Sequence, residues 1–137
     1  MIHRTPFILP FLYPSLVWRI PSGKKELYLT FDDGPVPGPT EFVLKVLYKY
    51  NVSASFFCIG ANAVRYPEVV EKIAAAGHTI GNHTFNHLDG WKTNTKEYLA
   101  DVDLCSNELL VTNNQLPINL FRPPYWIFRA NNTTYSA

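Results

Sequence analysis

The sequence predicts an α/β fold, with short parallel strands joined by helices into half of a barrel or a small open sheet. Two observations predict it. Short apolar runs alternate with stretches of helical periodicity in the order β-α-β-α-β-α-β, the pattern of strands linked by right-handed crossovers. Polar clusters follow the strand candidates: Asp32-Asp33 after the first, His83 after the third and Arg122 after the fourth. The C-terminal ends of strands are where α/β folds bind ligands.

The elements follow in order. Glu26–Phe31, "ELYLTF", is a short strand ended by an Asp-Asp-Gly-Pro turn. Thr40 caps the next helix, with Phe42, Val43, Val46, Leu47 and Tyr50 on one face and Asn51 at its end. Ser53–Ile59, "SASFFCI", is the second strand. Pro67 opens a helix at its first turn, and Gly77 stops it. His78–His83, "HTIGNH", is the third strand. After the loop "TFNHLDGWKTN", Thr95 caps a longer helix facing inward with Leu99, Val102, Cys105 or Ser106, and Leu109. The stretch "NNQLP" ends it, and Ile118–Arg122, "INLFR", is the fourth strand.

With 137 residues, 47% of them apolar and 17% charged, the chain has the composition of one globular domain with one core. A net charge of +1 gives no electrostatic argument for nucleic acid or an anionic membrane. The aromatic share, 15%, suits core packing first and flat-faced ligands such as sugars second. Cys58 and Cys105 have no CxxC partners and read as buried free thiols, which fits a reducing compartment. Residues 1–25 form an apolar N-terminal arm. Pro10 and Pro14 interrupt it, so it reads as a segment packed on the domain, with a membrane-proximal arm as the alternative. It supplies neither a clear export signal nor a transmembrane run of about 18 residues. The compartment read by default is the cytoplasm, with the cell envelope as the alternative.

The chemistry lies in three places. His83 and His87 in "HTFNH" are four residues apart. On one helical turn both rings would share a face and could share a metal ion. The bland alternative is two surface histidines in a polar loop. Adding Asp33 gives two nitrogen ligands and one oxygen, a set that leaves coordination positions open for water and substrate. A metal there would serve the hydrolysis of an amide or ester. Such a reaction needs a base. Asp32 and Asp33 alternate along a strand, so one carboxylate can ligate while the other stands off. Arg122 could hold the second carboxylate ionised and oriented. The competing reading of the Asp-Asp pair is a solvated acidic turn.

Read together, "TFDDGP" (Thr30–Pro35), "HTFNH" (His83–His87) and "RPPY" (Arg122–Tyr125) resemble the first three motifs of the polysaccharide deacetylase family, or NodB-homology domain. The resemblance covers Glu26 to about Tyr125. It implies a fold, a reaction and roles. The fold is an incomplete, distorted (β/α) barrel, about the first four βα units of about seven. The reaction is removal of acetyl groups from an N-acetylated or O-acetylated carbohydrate, such as a chitin-type oligomer, peptidoglycan or acetylxylan. Asp32 matches the general base. Asp33, His83 and His87 match the metal ligands, with zinc the usual metal and cobalt, manganese, nickel or iron also used. Arg122 matches the arginine that orients the base. Tyr125 matches the residue whose backbone N–H helps hold the oxyanion.

The sequence departs from the family after Tyr125. The family continues with glycine and further βα units, which carry a tryptophan motif and a Leu-x-His motif whose histidine is the general acid. Here Trp126 follows, no histidine occurs after His87, and residues 126–137 form an atypical Asn/Thr-rich tail that reads as unrelated or out-of-frame coding. The division read from sequence is therefore an arm at 1–25, a partial deacetylase domain at 26–125 and a tail at 126–137. A cut barrel exposes a sheet edge that can drive self-association. Two other functions stay open. One is a non-catalytic fragment that binds metal or carbohydrate without turnover. The other is a metal-dependent hydrolase of a small amide or imide.

Overall fold

The computed structural model describes residues 26–113 and 117–126, with positions 11 and 14 besides. The arm at 1–25, apart from those two positions, and the tail beyond 126 lie outside the described residues.

Three strands form a parallel sheet in the order β1-β2-β3: β1 Thr30–Gly34, β2 Ser55–Cys58 and β3 Thr79–Asn82. Parallel strands buried on both faces read as continuous apolar runs, and β2 is the clearest case. Its Phe56, Phe57 and Cys58 are all buried. Side chains alternate along the strand. Phe56 and Cys58 enter the helix-covered core with Leu47, Ala63, Val70, Ile73, Ile80, Cys105 and Leu109. Phe57 leaves that cluster and lies under the Arg122 guanidinium, 4.0 Å from ring centroid to Cζ.

The first strand is displaced from the expected Glu26–Phe31. It starts at Thr30 and runs through both aspartates to Gly34. The reason is the partner. The register Thr30↔Ser55 and Phe31↔Phe56 resumes only at Gly34↔Cys58, so Asp32 and Asp33 occupy a bulge rather than a turn after the strand. The Gly34–Pro35 peptide bond is cis.

Helix α1, Pro39–Tyr50, starts after Gly38 and not at Thr40. Gly38 has φ 87°, its N–H donates to Glu41 Oε2, and Pro39 takes the first helical position. Thr40 instead accepts from the Val36 N–H through Oγ1 at 2.9 Å. The inward residues are Val43, Leu44 and Leu47, whereas Phe42, Val46 and Tyr50 are exposed. Apolar residues run most of the way round this helix, so periodicity alone did not fix the buried stripe.

A helix absent from the sequence reading, α2 at Gly60–Arg65, follows β2 directly. Helix α3, Pro67–Ala75, begins at the proline as expected, and Gly77 beyond it has φ 76°. The fourth helix, α4 Thr95–Thr112, is capped by Asn94 rather than Thr95: Asn94 Oδ1 accepts from the Glu97 N–H at 3.0 Å. Its buried residues are Tyr98, Asp101, Val102, Cys105 and Leu109.

The expected fourth strand at Ile118–Arg122 is reduced to one bridge, Asn82↔Phe121. Two backbone bonds hold it, Asn82 N–H to Leu120 O at 2.8 Å and Arg122 N–H to Asn82 O at 3.0 Å. That bridge still delivers Arg122 to the C-terminal end of β3. Among the described residues β1 pairs only with β2 and leaves a sheet edge, no barrel closes, and no helix is long and apolar enough to cross a membrane.

Candidate active site

The site gathers where the bulge of β1, the loop after β3 and the segment at 122–125 meet. In the bulge Asp33 has φ 67°, a left-handed conformation that aspartate tolerates better than most residues. Asn62 of α2 donates from Nδ2 to the Asp33 carbonyl at 3.0 Å. The twist sends the two carboxylates apart. Asp32 Oδ1 accepts from Arg122 Nη1 at 2.7 Å, and that same Nη1 donates to Thr30 Oγ1 at 2.9 Å. Asp33 Oδ1 lies 3.3 Å from His83 Nε2 and 3.1 Å from His87 Nε2.

The segment 83–87 is not a helical turn. Thr84 and His87 have φ of 64° and 56°, and the chain between them is a loop. The imidazoles meet all the same, edge to face with centroids 5.2 Å apart. The loop's backbone is bonded on two sides. The N–H groups of Gly60 and Ala61 donate to the carbonyls of Thr84 and Phe85 at 3.0 and 3.1 Å. Asp101 of α4 accepts from the other side.

His83 is buried and its Nδ1 sits 2.7 Å from the Arg122 carbonyl. A carbonyl only accepts, so Nδ1 carries the proton. In the neutral ring Nε2 is then an acceptor aimed at another acceptor, Asp33 Oδ1. Two lone pairs so placed call for a positive centre between them. One ligand atom from each of Asp33, His83 and His87 lies within 4.8 Å of the others. Ligands bound about 2.0–2.1 Å from a tetrahedral zinc ion stand about 3.3 Å apart, which matches the 3.3 and 3.1 Å from Asp33 Oδ1 to the two histidine nitrogens. The donor set fits a divalent cation, and the backbone carbonyl on His83 Nδ1 is the kind of outer partner that orients metal-bound histidines.

Tyr125 comes to the same place. Its φ is 62° and its ring stands edge-on to His87 at 4.9 Å. An open cavity of about 280 Å³ borders Asp32 and Asp33, and its remaining walls include Phe31, Val36, Pro39, Val43 and Phe56. All six residues picked out from sequence thus converge. Sequence reasoning missed Asn62, Asn82 and Asp101. Only Asp101 left a trace, as a carboxylate on the buried face of an otherwise apolar helix stripe.

A family model for polysaccharide deacetylase matches residues 19–136. The chain belongs to the polysaccharide deacetylase family. The match extends beyond Glu26–Tyr125 on both sides. Among curated relatives, a peptidoglycan-N-acetylglucosamine deacetylase of Bacillus cereus is 41% identical over 105 residues, covering 77% of this chain and 38% of the relative. A chitooligosaccharide deacetylase of Sinorhizobium fredii is 34% identical over 125 residues, covering 91% and 58%. The crystal structure of the peptidoglycan N-acetylglucosamine deacetylase Bc1960, in complex with 4-naphthalen-1-yl-N-oxidanyl-benzamide, is similar with a TM-score of 0.78 and 38% identity. The similarity covers 82% of this chain and 52% of that one. This polysaccharide deacetylase chain therefore spans about two fifths to three fifths of the length of these proteins.

Proposed function

We propose that the chain carries the base-and-metal half of a carbohydrate deacetylase site, hydrolysing the acetamide of an N-acetylated sugar to acetate and free amine. The observation that carries this reading is the separation of the adjacent carboxylates, Asp32 to Arg122 and Asp33 to the two histidines. An acidic turn would have no reason to divide them. The names of the relatives support peptidoglycan or chitooligosaccharide as the substrate class.

Asp33, His83 and His87 would hold the divalent ion, which we assign as zinc. Zinc bound there supplies a Lewis acid for the acetyl carbonyl and lowers the pKa of water. Asp32 takes the proton of the attacking water, and Arg122, whose Nη1 donates to Asp32 Oδ1 at 2.7 Å, holds that carboxylate in place. The backbone N–H of Tyr125, whose ring stands edge-on to His87, is assigned to the developing oxyanion. The exposed Leu27, Tyr28 and Leu29 lead into the edge of β1 that is unpaired among the described residues, and offer a surface for self-association.

One observation favours a second reading. Among the described residues no histidine besides His83 and His87 stands at the site as a proton donor for the departing amine. On that reading the chain binds metal or acetylated carbohydrate without turnover. Acetate release from N-acetylchitooligosaccharide and from peptidoglycan fragments, with zinc added, separates the two. Release that disappears in Asp32→Asn supports deacetylation. Stoichiometric zinc binding with no release supports the non-catalytic reading.

A further inference from the structure

We propose that Asp101, on α4 and 18 residues beyond His83 in the chain, is a positioning residue for the metal ligands. This inference rests on the metal-site reading above and deepens it. Asp101 is 6% exposed, and none of the ion pairs among the described residues includes it. A buried carboxylate without a cation is costly unless hydrogen bonds replace water. Here three do, and all come from the loop between the two histidine ligands. Oδ2 accepts from the N–H of Phe85 at 2.7 Å and of Asn86 at 3.0 Å, and Oδ1 accepts from Asn86 Nδ2 at 2.6 Å.

The consequence is geometric. His83 is fixed by its own neighbours, through its backbone N–H to Cys58 O and its ring to Arg122 O. His87 lies at the far end of a loop with left-handed residues at 84 and 87. Such a path is not self-supporting, because each left-handed residue is strained. Asp101 converts it into a single conformation in which His87 Nε2 reaches Asp33 Oδ1. Asn82 works beside it, accepting from the Thr84 N–H through Oδ1 and donating to Val102 O and Ser106 Oγ of α4. The long helix α4 is thus the anchor of the ligand loop, although none of its residues belongs to the site.

The test is metal affinity and geometry measured on the folded chain, by chelator competition for zinc and by the visible spectrum of the cobalt-loaded protein. Asp101→Ala is expected to weaken zinc binding about 10- to 100-fold and to change the cobalt spectrum. Asp101→Asn keeps an acceptor for the two backbone N–H groups but loses the charge, and charged hydrogen bonds are about twice as strong as neutral ones. It should fall between Asp101→Ala and wild type. Asn86→Ala removes one of the three bonds at an exposed position and should weaken binding at least about threefold. Val69→Ala, in the core of α3 and away from the loop, controls for stability: it should lower the thermal midpoint and leave zinc affinity unchanged. Zinc affinities of Asp101→Ala within twofold of wild type, with an unchanged cobalt spectrum, would overturn the proposal. So would an equal loss in Val69→Ala. If Asp101→Ala does not fold, wild-type affinity in both Asp101→Asn and Asn86→Ala overturns it. A wild-type chain that binds neither zinc nor cobalt refutes the metal site itself, a result distinct from any of these.

Discussion

Gly60 stands where three segments meet, and adding one methyl group there should perturb both stability and the ligand loop. A Cβ at position 60 would lie 2.4 Å from Phe85 Cδ2, 3.1 Å from Phe85 Cα and 3.2 Å from Cys105 Cα. Carbon atoms settle about 3.5–4.0 Å apart. The Phe85 ring can swing aside, but the two backbone carbons press from the loop and from α4. Relief requires α2 to move off the loop, weakening Gly60 N–H to Thr84 O and Ala61 N–H to Phe85 O. Overpacking costs about 1–3 kcal/mol, and each hydrogen bond lost adds about 0.5–1.5 kcal/mol. Alanine recovers up to about 1 kcal/mol of helix propensity. Gly60→Ala should therefore lose about 2–4 kcal/mol and also weaken zinc binding, because the displaced loop carries His87. Urea unfolding midpoints measure the first effect and chelator competition the second. Gly38→Ala is the comparison: nothing lies within 4 Å of the added atom, but φ 87° and ψ −76° strain any residue with a Cβ, so it should cost about 1–3 kcal/mol of backbone strain and leave zinc affinity unchanged. Gly60→Ala within 0.5 kcal/mol of wild type, with unchanged zinc affinity, would refute the reasoning.

Arg122→Ala should lower acetate release about 10²- to 10⁴-fold while zinc affinity stays near wild type, because the Arg122 atom bonded to His83 Nδ1 is the backbone carbonyl, which alanine keeps. A parallel loss of zinc would contradict the division between base and metal. Partial burial lowers the pKa of His78, whose Nδ1 accepts from the Ala54 N–H. The unfolded chain then takes up a proton first, so stability is full above the ordinary histidine value of about 6.5 and declines as pH falls from there to the folded value. The urea midpoint should drop between pH 7 and pH 5 by more in wild type than in His78→Gln. Burial pushes the thiols of Cys58 and Cys105 up to about 12, so neither should react with an alkylating reagent at pH 8 until denaturant is added. Rapid labelling of the native chain would show that the core between β2 and α4 is open.

The parts of the fold that depend on composition along a single element were legible. The run "SFFC" gave the central strand, and Pro67 gave the start of α3. What depends on a partner was not. The register with β2 moved β1 onto the aspartates, and only Phe121 of the expected fourth strand bridges to β3. Helix α2 is six residues long, too short to show a period. Thr40 and Thr95 were plausible caps, yet the neighbouring Gly38 and Asn94 hold those places. In the site, Asp32, Asp33, His83, His87, Arg122 and Tyr125 stand in recognisable motifs, and the structure brings them together. The supports do not. Asn62 acts on a carbonyl 29 residues away and Asp101 on amides 15 and 16 residues away. Side chain to backbone bonds across such separations leave no periodic trace.

One centre, built from β1 and the loop after β3, carries the proposed chemistry. Its most direct test is a zinc titration of the 137-residue chain beside Asp33→Ala, His83→Ala and His87→Ala. One zinc ion should bind per wild-type chain, with binding lost or weakened by orders of magnitude in each variant while circular dichroism shows the fold retained. Undiminished stoichiometric binding in the three variants would contradict it.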